Sequence, residues 1–530
     1  MGRTFKTAFK PAFKTAFKPA FKTAGLAGAT ALVLALAGCA SQASGSAVSS
    51  SGGGAVSAGQ RGDTLTWGWS LPSTWDPVTS AVGNDVHALT LVYEGVTEVN
   101  AKGEVQPGLA RSWTYAKDGR SVTFHLRPGL TFSDGTKLDA AAVKASLERG
   151  KTAKDSTIAP QLVTVERVTA DSATDVTLHL TQVDYQIPLL LSGKTGQIVS
   201  PAAAKDPAKL ATQPVGAGPF ILKSYVPGSQ ARLVKNPAFW NADQILVPNF
   251  VLKPAPDPAV AVAGLQSGQY DVADLTASQV AGVKAAGFPV ETTDVLPVRV
   301  LDVNNTVKPF DNPKVVQAIS TAIDRQALVR TANFGYGQPA WQPFPKGYVA
   351  YNPELDNLHP HSVDKARRLL AEAGYPDGVD VQLALGKADD PVGELIQQQL
   401  NAAGIRTTLT VQTPGVNNYI TRRYPFVLDQ FNARQSPVQA LQVLFGPQGL
   451  MNLGKTTPAG LPAAVAKASG YALTDPAYPA AIQEATKIAV TNMPNVFLFT
   501  VTRFTAHTPK VHGLQHWVDI QRFEGVWVEK

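Results

Sequence analysis

Residues 132–147 read FSDGTKLDAAAVKASL, and in this stretch a turn is predicted to pass directly into a helix. The Asp134-Gly135 pair is typical of a tight turn. A helix is predicted to start near Asp139, since Val143 and Leu147 then share one helix face. Just upstream, alternating apolar residues at 121–126 and the Asp-Gly pair at 118–119 predict a β-hairpin. The region therefore predicts paired strands followed by a helix.

Helix, glycine and strand patterns recur along the rest of the chain. A buried helical stripe follows Asn312, and a second helix is predicted over 362–373 with Gly374 as its stop. A third helix begins after Asp390, and strand-like alternation follows at 405–411. This succession predicts an α/β fold of open sheets covered by helices. A body of about 470 residues exceeds one hydrophobic core, so at least two lobes are expected.

The N-terminal region has the features of an export signal. A cationic stretch precedes an apolar run at 25–37, which is too short for a resident membrane helix. The run ends in Leu36-Ala37-Gly38-Cys39, and this resembles the bacterial lipoprotein signal. The resemblance implies a signal peptide at 1–38, a lipid on Cys39, and a protein anchored outside the cytoplasmic membrane. Residues 39–62 are rich in Ser, Gly and Ala, so they are expected to form a flexible linker.

Charge and cysteine content exclude several classes of protein. The formal net charge is +7, but the leader contributes six bases and no acid. Without those six, 41 bases face 40 acids, which removes the main support for nucleic-acid binding. Because Cys39 is the single cysteine, neither an internal disulfide nor a cysteine-based metal site is expected.

Spaced motifs follow one another through the mature chain: YEG at 93–95, PGLARSW at 107–113, TFHLRPG at 123–129, FSDGTKL at 132–138, PVGAGPF at 214–220, LQSG at 265–268, PFDNP at 309–313, AIDR at 322–325 and ARRLLAEAGY at 366–375. In this order they resemble the family 5 extracellular solute-binding proteins, the peptide and nickel type that serves ABC importers. The resemblance covers essentially the whole mature chain.

The resemblance implies a two-lobed clamp of the periplasmic-binding-protein type (type II, cluster C) with an extra subdomain in the first lobe. The expected first lobe is 63–300 with an insertion at about 85–212, the second lobe is 301–498, and 499–530 returns to the first lobe. The lobes are expected to close on a small solute without catalysis or a cofactor. A membrane permease with its ATPase is the expected partner of a monomeric protein.

The loop at 430–437 gives information on the class of solute. Peptide-binding relatives hold the free amino terminus with an aspartate in such a loop, whereas this loop reads QFNARQSP. Phe431 stands near the aromatic position, Asn432 follows it, and Arg434 occupies or neighbours the place of the carboxylate. Arginine favours carboxylate or phosphate oxygens and repels an ammonium group. Peptides or peptide-like solutes are expected, with anionic or siderophore-like solutes as alternatives; a solvated surface arginine is the other interpretation of Arg434.

Further solute contacts are predicted from position alone. Some lie at the end of the first strand, where open α/β sheets bind ligands, and others are aromatic residues in Gly/Pro-rich loops or asparagines at the expected first crossing between the lobes. Such aromatics often cap a core instead, and asparagines often satisfy turns. These candidates are Trp69, Ser70, Trp75, Asn304, Asn305, Tyr336 and Trp341.

Signals for an enzyme are weak. The run Ser192-Gly193-Lys194-Thr195 resembles the end of a phosphate-binding loop, but Pro188 stands where the leading glycine is required. No Gly-x-Ser-x-Gly or His-Glu-x-x-His sequence occurs. A binding protein is therefore predicted, and a sensor that uses the same clamp outside transport remains an alternative.

Overall fold

The structure is a computed structural model, and it describes residues 61–413, 417–431, 436–492 and 495–530. Cys39, the signal peptide and most of the expected linker lie outside the described residues. Among the residues that are described, no helix is both long enough and apolar enough to cross a membrane.

The strands and their order define two halves of one large sheet. The first half contains β11, β1, β10, β9 and β8, the second half contains β14, β13 and β15, and β12 and β16 lie between them. The order in this ten-stranded mixed sheet is β14-β13-β15-β12-β16-β11-β1-β10-β9-β8, and a separate four-stranded sheet has the order β4-β5-β7-β6. The strands are β1 Thr64–Trp69, β2 Thr97–Val99, β3 Val105–Pro107, β4 Ala110–Tyr115, β5 Ser121–Leu126, β6 Val165–Ala170, β7 Asp175–Leu180, β8 Phe220–Val226, β9 Gln230–Lys235, β10 Asn249–Pro254, β11 Val272–Leu275, β12 Val290–Val303, β13 Val379–Leu385, β14 Ile405–Val411, β15 Phe426–Phe431, β16 Val496–His507, β17 Val511–His512 and β18 Trp527–Val528.

Helices cover both faces of the second half of the large sheet. One buried cluster lies under α7, α9 and α10, and another lies under α12, α13 and α14. The α-helices are α1 Asp85–Leu89, α2 Ala140–Thr152, α3 Ile187–Leu190, α4 Pro207–Leu210, α5 Pro258–Gln266, α6 Val280–Ala285, α7 Pro313–Ala322, α8 Arg325–Ala327, α9 Val363–Glu372, α10 Pro391–Ala402, α11 Asn418–Thr421, α12 Pro437–Phe445, α13 Leu461–Ser469 and α14 Tyr478–Thr491.

The predicted helix starts are confirmed by their caps. Asp139 precedes α2 and accepts a hydrogen bond from the Ala142 N–H at 3.0 Å. Asn312 caps α7 and Asp390 caps α10 in the same way, each with proline as the next residue. Such caps satisfy backbone N–H groups that have no partner inside the helix. After α9, Gly374 has a φ of +92°, a left-handed conformation that favours glycine.

Two long strands belong to both halves of the large sheet. Residues 290–294 of β12 pair with 502–506 of β16, and 298–301 pair with 496–500 after an irregularity. Pro297 lies in this irregular stretch, and proline has no N–H to donate to a neighbouring strand. We propose that β12 and β16 connect the two lobes here. The four-stranded sheet, with α2 packed on it, corresponds to the proposed extra subdomain.

Asn304 and Asn305, predicted at the first crossing, lie beyond the end of β12 and outside the crossing proposed above. Asn304 lies six residues beyond Val298, where β12 already pairs with β15. A single strand of 14 residues serves both halves of the sheet, whereas strands usually end after about 5–6 residues. The proposed crossing therefore falls inside a strand and not at its end.

Candidate functional site

The ends of β1 and β15 lie on opposite sides of the crossing. Gly68 of β1 pairs with Ala273 of β11, which in turn pairs with Ala506 of β16. Phe431 of β15 pairs with Val298 of β12, which in turn pairs with Thr500 of β16. These two positions are six residues apart on β16, about 20 Å at the usual rise of a strand. Open α/β sheets bind ligands beyond the carboxyl ends of their strands. The space between the two strand ends is therefore the candidate solute cleft.

The wall formed by the end of β1 is aromatic. The Trp69 ring is half-buried and stacks on Trp67 with ring centres 5.0 Å apart, and it meets His87 edge-on at 5.1 Å. Burial, and then the charge of Arg503, lowers the pKa of His87 well below its usual range, which favours the neutral ring. The Trp69 indole N–H is buried and unpaired, and Ser70 after it is exposed.

Tyr336 and Trp341 flank a segment that pairs with β16 beside the crossing. The Ala340 N–H donates to the Leu498 carbonyl at 3.0 Å, and the Thr500 N–H donates to the Gln338 carbonyl at 2.8 Å. The half-buried Tyr336 ring packs on Phe504 of β16 with ring centres 4.5 Å apart.

Trp341 is half-buried, and its indole N–H is buried without a hydrogen-bond partner. The guanidinium of Arg325 lies over its ring, 5.2 Å from the ring centre. Burial lowers the pKa of Arg325 to about 9. Trp341 thus combines a partly exposed indole face with a donor that has no protein acceptor.

Four of the other predicted residues make their contacts inside the protein. Trp75 and Phe431 are both 0% exposed and lie in two different hydrophobic cores. Asn304 is buried and accepts from the Thr306 hydroxyl at 2.7 Å, while Asn305 accepts from the Thr456 hydroxyl at 2.9 Å. The rings thus fill cores and the asparagines order loops, as the alternative interpretation expects. Asn432 and Arg434 lie outside the described residues.

A segment of the extra subdomain reaches the second lobe. The Tyr185 N–H donates to the carbonyl of Ser469, at the end of α13, at 2.8 Å. The hydroxyls of Ser436, before α12, and Tyr478, in α14, both donate to Oε1 of Gln186 at 3.1 Å. Gln186 precedes α3, and sequence reasoning missed it because no motif marks it. Ser436 carries a signal, since serine followed by proline is typical of a helix start.

Two carboxyl groups of the second lobe share one tyrosine. The Tyr419 hydroxyl donates to Asp302 Oδ2 at 2.8 Å and also contacts Asp429 Oδ2. A hydroxyl has one hydrogen, so a full set of hydrogen bonds requires one carboxyl to be protonated. Burial, and then the charge of Asp429, raises the pKa of Asp302 well above its usual range. Asp302 is therefore the better candidate for the proton.

Replacing Asp302 with asparagine is expected to make the protein relatively more stable as the pH rises above about 4. A raised folded-state pKa gives stability that is present below the unfolded value, about 3.9, and is lost as the pH rises through the folded value. Asparagine does not ionise, so the variant avoids this loss. Unfolding midpoints of both proteins between pH 4 and 9 check the prediction.

The exposed Asp311→Asn is the matched control, and its unfolding midpoint should follow the unaltered protein at every pH. If Asp302→Asn also stays parallel to the unaltered protein, the shared proton is contradicted.

Comparison with known proteins places the chain in a family. Residues 104–450 match the family described as Bacterial extracellular solute-binding proteins, family 5 Middle. The Glutathione-binding protein GsiB of Escherichia coli K12 is 31% identical over 330 residues, which cover 61% of this chain and 64% of that protein. GsiB of Salmonella typhi is 32% identical over 333 residues, with the same coverage. The matches therefore span less than two thirds of these relatives' length.

Solved structures share the fold over nearly their whole length. The binding protein AgaA of A. tumefaciens R10, in complex with agropinic acid, has a TM-score of 0.79 at 25% identity, covering 88% of this chain and 99% of that chain. DppA of Helicobacter pylori, in complex with the peptide STSA, has a TM-score of 0.81 at 22% identity, covering 89% and 99%. The predicted two-lobed α/β fold is thereby confirmed. The family match covers well over half of the sequence, and the chain belongs to the bacterial extracellular solute-binding proteins of family 5.

Proposed function

We propose that this protein captures a carboxylate-bearing peptide or peptide-like solute and delivers it to an ABC permease with its ATPase. The observation that carries the proposal is the pair of strand ends that face each other across the β12–β16 crossing, with their aligned positions on β16 about 20 Å apart along that strand. Two strands joining two sheet halves form a natural hinge. A solute that contacts both halves stabilises the closed arrangement, which the permease then recognises.

The proposed solute class is based on the relatives and on the loop at 430–437, which we call the recognition loop. GsiB is named for glutathione, AgaA was solved with agropinic acid, and DppA was solved with a peptide. Each of these solutes carries a carboxylate. Arg434 occupies or neighbours the position where peptide-binding relatives have an acid, and its guanidinium would pair with a carboxylate. The proposed solute therefore presents a carboxylate to the second lobe.

Position in the cell is part of the proposal. A lipid on Cys39 would hold the protein outside the cytoplasmic membrane, and the linker to residue 62 would let it reach the permease as a monomer. A siderophore-like chelate is the alternative solute, and a sensor without transport is the alternative role. Uptake of labelled solute by cells with and without the gene separates transport from sensing.

Thermal unfolding with candidate solutes tests the proposal first. The protein from residue 40 onward is heated with glutathione, agropinic acid or trialanine, each in large excess. A specific solute at about 100 times its Kd adds about 2.7 kcal/mol to the free energy of unfolding, so the midpoint should rise clearly. Glycinamide, which has no carboxylate, is the control. A folded protein whose midpoint responds to none of the three acids would contradict the proposed solute class.

A further inference from the structure

Gln186 is buried at the junction of the two lobes with half of its amide unused. Its side chain is 3% exposed, its Oε1 accepts from two hydroxyls of the second lobe, and its Nε2 has no hydrogen-bond partner. A buried donor without a partner costs free energy that a bound acceptor would recover. The orphaned N–H group therefore points to a ligand that supplies an acceptor.

The surroundings of Gln186 favour a negatively charged acceptor. Ser436 contacts the Gln186 amide and caps α12, a nine-residue helix, by accepting from the Gln439 N–H at 3.3 Å. The start of a helix carries a partial positive charge that attracts anions. The amide thus lies where the start of α12 and the extra subdomain meet.

The nearest acid along the chain does not use the orphaned donor. Asp184 accepts from the Thr164 hydroxyl at 2.8 Å and from the backbone N–H of Gln186 at 3.0 Å, so its two oxygens are engaged. Burial raises the pKa of Asp184, which favours its neutral form and weakens its repulsion of an anion.

We propose that the Gln186 side-chain N–H donates a hydrogen bond to a carboxylate oxygen of the solute. The extra subdomain would then contact the solute directly through the Gln186 N–H group. The Gln186 amide oxygen would at the same time accept hydrogen bonds from Ser436 and Tyr478 of the second lobe. Solute binding and lobe closure share one side chain in this arrangement. The inference rests on the proposed function and adds a specificity-determining residue to it.

The test compares a carboxylate with its carboxamide. Titration calorimetry measures the Kd of trialanine as the free acid and as the C-terminal amide, and of glutathione as the free acid and with both carboxylates amidated, with the protein from residue 40 onward. Gln186→Met keeps the length of the side chain and removes the donor. It should weaken binding of a free acid about 10- to 100-fold, as expected for a hydrogen bond to a charged group, and binding of the amide much less.

Gln186→Glu should weaken binding of the free acid further, because it places a negative charge beside the carboxylate. Gln213→Met is the matched control, since Gln213 belongs to the first lobe and is exposed. Unfolding midpoints confirm that each variant is folded before it is titrated. The control should bind each probe as the unaltered protein does.

The outcomes separate this inference from the proposed function. If the unaltered protein binds an acid and Gln186→Met binds it equally well, the assignment of Gln186 is overturned and the proposed function stands. If Gln186→Met weakens binding of the acid and of its amide by the same factor, the assignment is also overturned, since Gln186 then only joins the lobes. If the unaltered protein binds neither acid and its unfolding midpoint also does not respond to agropinic acid, the proposed solute class and the assignment both fall.

Discussion

Replacing Arg522 with methionine is expected to lower the free energy of unfolding by about 3–5 kcal/mol. The Arg522 guanidinium contacts Glu94 at 2.9 Å, Glu98 at 2.8 Å and Glu524 at 2.9 Å, and its side chain is only 8% exposed. Methionine keeps the apolar part of the side chain but leaves three carboxyl groups without this cation. The loss should appear in urea unfolding at pH 8.

The defect should shrink at pH 5. Burial, partly offset by Arg522, raises the pKa of Glu98 to about 8. A group with a raised pKa gives stability that is present below its unfolded value and is lost as the pH rises through about 8. At pH 5 Glu98 is therefore already protonated, so removing the cation costs less.

Arg406→Met is the matched control for Arg522→Met. Arg406 also binds a carboxylate through two nitrogens, but it is 54% exposed and its partner Asp380 is 79% exposed. Exposed ion pairs contribute about 0–1 kcal/mol. If the two variants lose similar stability, the burial of the Arg522 cluster does not have the stabilising effect expected here.

Replacing Gly218 with alanine is expected to destabilise the protein by about 3 kcal/mol, the upper end of the usual range for overpacking. An added Cβ would lie 2.5 Å from the Val92 carbonyl carbon and 2.7 Å from the Tyr93 nitrogen. These are backbone atoms, which cannot rotate away as a side chain can. Two ladder-like hydrogen bonds, from the Gly218 N–H to Val92 and from the Phe220 N–H to Leu91, both 2.8 Å, fix the two segments together.

Gly282→Ala provides the control for this substitution. Gly282 lies within α6, and an added Cβ would meet no atom within 4 Å. Alanine in a helix is favoured over glycine by about 1 kcal/mol, so the control should be slightly stabilised. Chemical unfolding of both variants measures the difference. Equal stability of Gly218→Ala and Gly282→Ala would contradict the close backbone approach at Gly218.

Local chemistry explains why so much of the fold could be predicted. Asp139, Asn312 and Asp390 cap helices through bonds to residues two or three positions away, so their role is visible in sequence. Gly374 stops a helix for an equally local reason, its left-handed backbone. The order of the motifs predicted the family, and the family in turn predicted the two lobes.

The candidate site was predicted less well because burial depends on distant packing. Trp75 and Trp341 both lie in loops, yet Trp75 is 0% exposed and meets Tyr225 edge-on at 5.9 Å, while Trp341 is half-buried. The two loop tryptophans cannot be told apart from their sequence surroundings. Trp75 is buried because it packs against β8, which carries Tyr225.

The α/β class, the helix starts and the family could be predicted from the sequence, because these depend on short-range hydrogen bonds, periodicity and ordered motifs. Three other features depend on the tertiary structure: the change of pairing register within β12, the contact of Gln186 with Ser436 and the pairing of Arg522 with Glu94. Gln186 and Ser436 are 250 residues apart in sequence, and Arg522 and Glu94 are 428 apart. Such contacts arise from the order of the strands and the packing of the lobes, and no local pattern encodes them.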